Sequence, residues 1–318
     1  MKIVILDAYT LNKGDLSWQG LTALGELTCY DRTASHEVIS RAKEADVILT
    51  NKVKLSAEIL SMLPQLRYIG VLATGVNVID LDAAAARGIV VTNAPNYASD
   101  SVAQMVFAHI LHFSQQVAEH DKAVKGGAWG ACRDFSLTLS PLHSLKNKVL
   151  GLIGFGHIAQ KAAQIGLAFD MLVRVYSRTK PQHLPEGVSW QCFDGVIEAA
   201  DFLSLHCPLT SETYQLIDAQ CLAKMKPSSV LINTARGELI DEMALAAALA
   251  NGTLAFAGLD VLSTEPPAND HPFFNLNNIA LSPHNAWATL EARQTLLDIT
   301  VMNLTAYTNG EILHNQVV

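Results

Sequence analysis

Short apolar runs rich in β-branched residues alternate along the chain with longer stretches of helical periodicity. The runs are Ile3–Leu6, Val47–Thr50, Tyr68–Val71, Ile89–Thr92, Val149–Ile153, Leu172–Tyr176, Phe202–His206, Val230–Asn233 and Leu254–Gly258. Alternation of this kind predicts βαβ units, with parallel sheets buried on both faces. The two halves echo each other. Ala45-Asp46-Val47-Ile48-Leu49 and Ala200-Asp201-Phe202-Leu203-Ser204 are each followed by a helical stretch, a proline (Pro64 or Pro227) and a further strand. Two unrelated α/β halves would also look alike, but either origin supports two βαβ domains.

The join between them falls in the helical stretch Ser99–Val124. Ser99-Asp100-Ser101 offers N-cap chemistry, and Val102, Met105, Val106, His109, Ile110 and Phe113 form an apolar stripe. Lys125-Gly126-Gly127 ends it. Ala128–Leu145 then reads as an irregular arm carrying Trp129, Arg133 and Phe135. A loop of this length in a compact protein serves as a functional lid or an interface. The second long helix, Ala288–Thr308, is expected to return the chain to the first domain. The predicted division is therefore 1–99 plus 286–318 for one domain, and 100–285 for the other, which includes a helix and arm at 100–147.

Composition narrows the function. Half of the residues are apolar and only 16% are charged, so the chain can bury a sizeable core. The net charge of −8, without long like-charge blocks, argues against nucleic acid and an anionic membrane surface as partners. The odd set of Cys29, Cys132, Cys192, Cys207 and Cys221 has no C-x-x-C, which reads as a reducing compartment without a disulfide framework or a metal knuckle. The opening apolar run is too short for a secretory segment, and no stretch approaches a membrane span. A cytoplasmic protein is the expectation.

The strongest local motif is Gly154-Phe155-Gly156-His157-Ile158-Ala159, directly after the strand Val149–Ile153 and opening a helix. In such a motif Gly154 permits the tight turn, Gly156 lets backbone approach a pyrophosphate, and the small Ala159 allows close helix–strand packing. The helix N-terminus adds N–H groups and the positive end of its dipole. This predicts dinucleotide binding. About 20 residues further on, an acidic residue would grip a ribose 2′-hydroxyl. Here stand Ser177 and Arg178 instead. A hydroxyl plus a guanidinium suits a 2′-phosphate, so NADPH is favoured over NADH. A solvated Arg178 on an NAD-binding protein is the alternative.

Three further stretches follow. Arg236 lies just past the strand Val230–Asn233, where a substrate carboxylate could be clamped or where an arginine could merely cap. Asp260 also follows a strand, and Glu265 precedes two prolines. His284 follows a strand candidate and Pro283. A carboxylate paired with an imidazole favours the charged ring, which suits proton delivery to a nascent alkoxide.

The ordered set G-x-G-x-x-A, N-T-A-R-G, G-L-D-V-x-x-x-E-P-P and S-P-H-x-A-W resembles the D-isomer-specific 2-hydroxyacid dehydrogenase family over essentially the whole chain. Val71-Leu72-Ala73-Thr74-Gly75-Val76-Asn77 looks like that family's substrate-carboxylate loop. Within the family, Asp7–Asn12 and Asp100–Met105 look most like glycerate dehydrogenases, also called hydroxypyruvate or glyoxylate reductases. The resemblance implies a Rossmann dinucleotide-binding domain inserted in a flavodoxin-like substrate domain. It implies that Arg236 binds the carboxylate and carbonyl oxygen of a small 2-oxo acid. His284 would be the general acid and base, and Glu265 would orient it. Backbone around Thr74, Gly75 and Val76 would hold the substrate carboxylate. His157 and Ile158 would lie over the pyrophosphate, Cys207, Pro208 and Thr213 would line the nucleotide groove, and Thr234, Ala235 and Asp260 would contact the cofactor. No metal is implied. The helix and arm at 100–147 look like the family's dimer surface, so a homodimer is expected.

Three departures stand out. Ala159 replaces the usual third glycine, Ser177-Arg178 replaces the usual acid, and Asn285 sits where the family often has an apolar residue. Two alternatives stay open. One is a 3-phosphoglycerate dehydrogenase, disfavoured because the chain ends at Val318 without an extra regulatory domain. The other is a nucleotide-sensing module resembling the C-terminal-binding corepressors, since fold alone does not fix function.

Overall fold

The computed structural model describes all 318 residues and divides into two compact units. One comprises Met1–Ala98 and Trp287–Val318, the other Ser99–Ala286. The first holds five parallel strands: β1 (Lys2–Ile5), β2 (Glu26–Cys29), β3 (Val47–Thr50), β4 (Tyr68–Val71) and β5 (Val90–Thr92), in the order β2-β1-β3-β4-β5. The second holds seven: β6 (Val149–Ile153), β7 (Leu172–Tyr176), β8 (Val188–Trp190), β9 (Phe202–Leu205), β10 (Val230–Asn233), β11 (Phe256–Leu259) and β12 (Ile279–Leu281). Their order is β12-β11-β10-β9-β6-β7-β8, again all parallel.

The central strands are buried at every position because helices cover both faces of each sheet. In the second unit, Ala103, Val106, Phe107 and Ile110 of helix Ser99–Gln115 pack with Leu150, Leu152 and Ala163 on one face. Leu203, Leu231 and Ala257 meet Leu245 and Leu249 on the other. In the first unit, Ile3, Ile5 and Leu49 share a core with Leu296, Leu297 and Leu304 of the long helix Leu290–Asn309. Arg293 on that helix holds Asp15 through its two terminal guanidinium nitrogens, at 2.7 and 2.6 Å.

Each strand order reverses once, and the crevice at a reversal is where open α/β sheets take ligands. In the first unit the reversal lies between β1 and β3, and it is filled from within. The buried Asp7 carboxylate accepts the N–H groups of Asn51 (2.9 and 3.1 Å) and Lys52 (2.6 Å). In the second unit the reversal lies between β6 and β9, at the glycine motif.

Two expectations need correction. The stretch Ser99–Val124 is not one helix. It breaks at Gln116, whose backbone is left-handed (φ 50°), into Ser99–Gln115 and Val117–Lys125. The apolar stripe explains the break. Burial holds the first segment to the sheet, whereas no residue of the second is buried. The apolar runs also omit β2, β8 and β12, the last read only as a strand candidate before His284. All three are edge strands with exposed or intermediate positions, held by pairing to β1, β7 and β11 rather than by hydrophobic content.

Candidate active site

The glycine motif forms a turn that only glycine can make at its first position. Gly154 has φ +95°, and a Cβ there would lie 2.8 Å from the backbone of His206 and Cys207. The loops after β6 and β9 are thereby pressed together at the reversal. Gly156 caps helix His157–Ala168 with no side chain on the capping position, and a Cβ added to it would enter open space. That leaves the first N–H groups of the helix to an anion. Ala159 is fully buried against the sheet.

The neighbouring loops are shaped to the same edge. Thr213 Oγ1 donates to the Pro208 carbonyl at 2.7 Å and accepts from Thr210 N at 2.7 Å, closing the loop after Cys207. Burial pushes the Cys207 thiol up, which keeps it a neutral lining group. Thr234 Oγ1 is buried without a hydrogen-bond partner. A buried orphan hydroxyl at the end of β10, an open helix N-terminus and a left-handed glycine fit a dinucleotide held across this edge. At the far end of β7, Ser177 Oγ donates to Thr179 O at 2.8 Å, and the exposed Arg178 lies 3.9 Å from Glu212.

Arg236 is presented by a turn built on Asn233, a fully buried side chain at the end of β10. Its amide donates to Arg236 O at 2.8 Å and its oxygen accepts Ala235 N at 3.0 Å. The Arg236 side chain is exposed, with Nη1 donating to Ala235 O at 2.7 Å. Next to it, Gly237 is a close-approach glycine. A Cβ there would fall 1.9 Å from the Leu262 carbonyl carbon, so the segment carrying Glu265 packs directly on the Arg236 loop.

Glu265 Oε1 accepts Leu262 N at 3.0 Å, and Oε2 meets His284 Nδ1 at 2.5 Å. The structure thus pairs the imidazole and carboxylate expected from the sequence. His284 is one of six non-glycine residues with positive φ, at 49°. A left-handed histidine is sparsely populated and persists only where its surroundings over-determine it. Here the surroundings are Asp260. Its carbonyl accepts His284 N at 2.8 Å, and its carboxylate accepts Ser282 Oγ (2.5 Å), Asn285 N (3.1 Å) and Ala286 N (3.0 Å). Asp260 therefore holds the loop of His284, a task the sequence did not suggest for it. Asn285 enters this arrangement through its backbone, with its side chain exposed.

Behind the loop, His109 is buried on helix Ser99–Gln115. Burial, with His112 adding to it, pushes its pKa down to about 4. The unfolded chain binds that proton near pH 6.5. This contribution to stability is present above about pH 6.5 and is lost as pH falls toward 4. Between pH 7 and 5 the protein should lose on the order of 2 kcal/mol from this group. Chemical denaturation of wild type and His109→Gln at both pH values checks this. Equal losses in the two proteins would remove His109 as the cause.

In the first unit, the loop after β4 is stiffened by its own bonds. Thr74 Oγ1 donates to Ala94 O at 2.9 Å, Asn93 Nδ2 donates to Thr74 O at 2.7 Å, and Ile79 N donates to Val76 O at 2.9 Å. No cluster of three or more metal-ligating side chains is present, all five cysteines are free, and no helix is long and apolar enough to cross a membrane.

Residues 107–286 match the model of the D-isomer specific 2-hydroxyacid dehydrogenase, NAD binding domain. A hydroxypyruvate reductase from Blautia hydrogenotrophica is 41% identical over 314 residues, covering 98% of each chain. The chain belongs to the D-isomer specific 2-hydroxyacid dehydrogenase family. Among solved structures, a protein from Thermus thermophilus superposes over all of both chains with a TM-score of 0.89 and 32% identity. An NADPH-dependent glyoxylate/hydroxypyruvate reductase from Sinorhizobium meliloti, in complex with NADP and malonate, does so with a TM-score of 0.84 and 29% identity, over 100% of this chain and 96% of that one. The β6–β12 sheet is thus a Rossmann fold, and its cofactor is a nicotinamide dinucleotide.

Proposed function

We propose that this chain reduces hydroxypyruvate or glyoxylate, to D-glycerate or glycolate, with NADPH preferred. The observation that carries the reading is the His284–Glu265 pair, set by Gly237 packing beside the Arg236 loop on the strand-end edge that also bears the glycine turn. The relatives named hydroxypyruvate reductase and glyoxylate/hydroxypyruvate reductase support the substrate class.

The bound nicotinamide supplies the hydride. The protein's own part is orientation and proton delivery. Arg236 holds the substrate carboxylate in a two-pronged grip and offers positive charge to the developing alkoxide. Glu265 keeps the imidazole proton on His284 Nδ1 and supports the charged ring, so that Nε2 delivers its proton to the carbonyl oxygen. In the reverse direction the same nitrogen takes the proton. The backbone of Thr74, Gly75 and Val76 is assigned to the substrate carboxylate. Gly154, Gly156, His157 and Ile158 hold the pyrophosphate, with Cys207, Pro208, Thr213, Thr234, Ala235 and Asp260 around the rest of the cofactor.

Ser177 and Arg178 set the nucleotide preference: the residues directly after β7 are a hydroxyl and a guanidinium rather than a carboxylate, and Arg178, exposed beside Glu212 at 3.9 Å, turns its guanidinium to a 2′-phosphate. Initial rates of hydroxypyruvate reduction should give the larger kcat/KM with NADPH. Arg178→Ala should cut that constant about tenfold while leaving the NADH value within about twofold, one charge-assisted contact being worth about that much. A larger constant for NADH would overturn the preference. No turnover of either acid, with 3-phosphoglycerate accepted instead, would overturn the substrate. The homodimer is assigned to the helix and arm at 100–147, where Val117, Trp129, Phe135, Leu139 and Leu142 are exposed apolar groups. A monomeric mass in light scattering would overturn it.

A further inference from the structure

The loop of His284 is fastened from behind by a buried polar chain that runs from Asp260 through Ser282 to His109, a residue with no assigned contact to substrate or cofactor. Asp260 is 2% exposed and His109 is 5% exposed, and Ser282 lies between them. Ser282 has one hydroxyl proton and donates it to Asp260 Oδ1, a carboxylate oxygen that can only accept. The Ser282 oxygen then faces His109 Nε2 at 3.1 Å as an acceptor, which makes His109 the donor. Hydrogen-bond logic therefore places the proton of a neutral ring on Nε2.

The packing is arranged to permit this contact. Gly258 on β11 lies under His109, and a Cβ at Gly258 would come 2.7 Å from the His109 Cβ. Leu or Val would satisfy the helix stripe at position 109 as Val106 and Ile110 do, without a ring nitrogen that must find a partner. At its other end the chain finishes on the catalytic loop. Asp260 accepts the N–H groups of Asn285 and Ala286 and, through its carbonyl, that of His284. Ser101, on the same helix as His109, donates to Ala286 O at 2.5 Å. One helix thus grips the loop at both sides of His284.

We propose that His109 is a positioning residue for the acid–base step, acting through Ser282 and Asp260 to hold His284 in its left-handed conformation against Glu265. The proposal rests on the reading of His284 as the acid–base group. With only Nε2–H bonded to Ser282, the alignment of Ser282 Oγ on Asp260 is set from the helix side. Without that bond the serine hydroxyl can rotate, and Asp260 loses one of the contacts that fix its carboxylate plane.

The test is a set of variants of the full chain, read by steady-state kinetics, nucleotide titration and ¹⁵N-histidine spectra. His109→Leu should lower kcat by between about tenfold and 10²-fold, the cost of a small misplacement, and should leave the Kd for NADPH unchanged. His109→Gln, whose amide N–H reaches the place of Nε2, should recover kcat to within about threefold of wild type. His109→Leu combined with Ser282→Ala should be no slower than Ser282→Ala alone, because the two act in series. The wild-type spectrum should show His109 protonated on Nε2, a readout that needs no variant to fold. A proton on Nδ1, wild-type kcat in His109→Leu, or an equal fall in the Leu and Gln variants would each overturn the proposal. Wild-type kcat in His284→Ala would instead overturn the acid–base reading itself, and the spectrum and the His284 ring resonance of His109→Leu would still report whether the loop is held from His109.

Discussion

Replacing His284 with alanine should lower kcat by about 10²–10⁴-fold, the range for removing a general acid. The loss follows from geometry already present in the protein. Glu265 sits 2.5 Å from Nδ1, and Asp260 and Ser101 fix the backbone on both sides, so the ring is held by groups that exist before substrate arrives. Binding of NADPH should be unaffected, because the glycine turn and the Arg178 end of the sheet belong to other strands. Stopped-flow reduction of hydroxypyruvate, with nucleotide binding followed by fluorescence, separates the two effects. A variant with wild-type kcat would strip His284 of its role. Glu265→Gln should fall less, since an amide can still accept from Nδ1 but no longer supports a charged ring.

The second large effect is expected at a residue with no chemistry. Gly237→Ala puts a methyl group 1.9 Å from the Leu262 carbonyl carbon and 2.3 Å from both Leu262 O and Ser263 N. These are backbone atoms, which cannot swing aside as a side-chain tip would. Either the Arg236 turn or the segment leading to Glu265 must move. Overpacking of this kind costs about 1–3 kcal/mol, and a shift near 1 Å in a catalytic group costs about 10²-fold in rate. Lower thermal stability together with a fall of at least that size in kcat/KM is the expected result, by calorimetry and initial rates. An alanine variant with both properties intact would mean that these two loops do not depend on each other.

The positions that were legible in the sequence are those whose signal is local. Gly154, Gly156 and Ala159 announce themselves by spacing after a strand, and Arg236, Glu265 and His284 by motifs that each occupy one loop. The central strands were legible because burial on both faces leaves an unbroken apolar run. What escaped depends on contacts far apart in the chain. Asn233 reads as an ordinary strand end, Gly237 as the last letter of a motif, and Asp260 as a cofactor contact. Their structural tasks come from meeting Arg236, Leu262 and the Ser282–Ala286 loop. His109 reads as one more member of a helical stripe, because nothing nearby reveals that Ser282 lies across from it. The edge strands β2 and β8 escaped for a different reason. Pairing with a neighbour, rather than composition, makes them strands. The break at Gln116 was hidden because helical periodicity continues past it while burial does not.

The unit made of Met1–Ala98 and Trp287–Val318 has one more consequence, in the timing of synthesis. Ile3 and Ile5 leave a ribosome nearly three hundred residues before Leu296, Leu297 and Leu304, the side chains that share their core. Asp15 likewise waits for Arg293, and Val91 N for Val318 O. Ser99–Ala286 has no such debt, since every strand of its sheet and the helices on its faces emerge together. The nucleotide-binding unit can therefore reach its native state on the ribosome while the opening sheet stands with one face bare. That face, not the active site, is the surface a nascent-chain chaperone would have to shield.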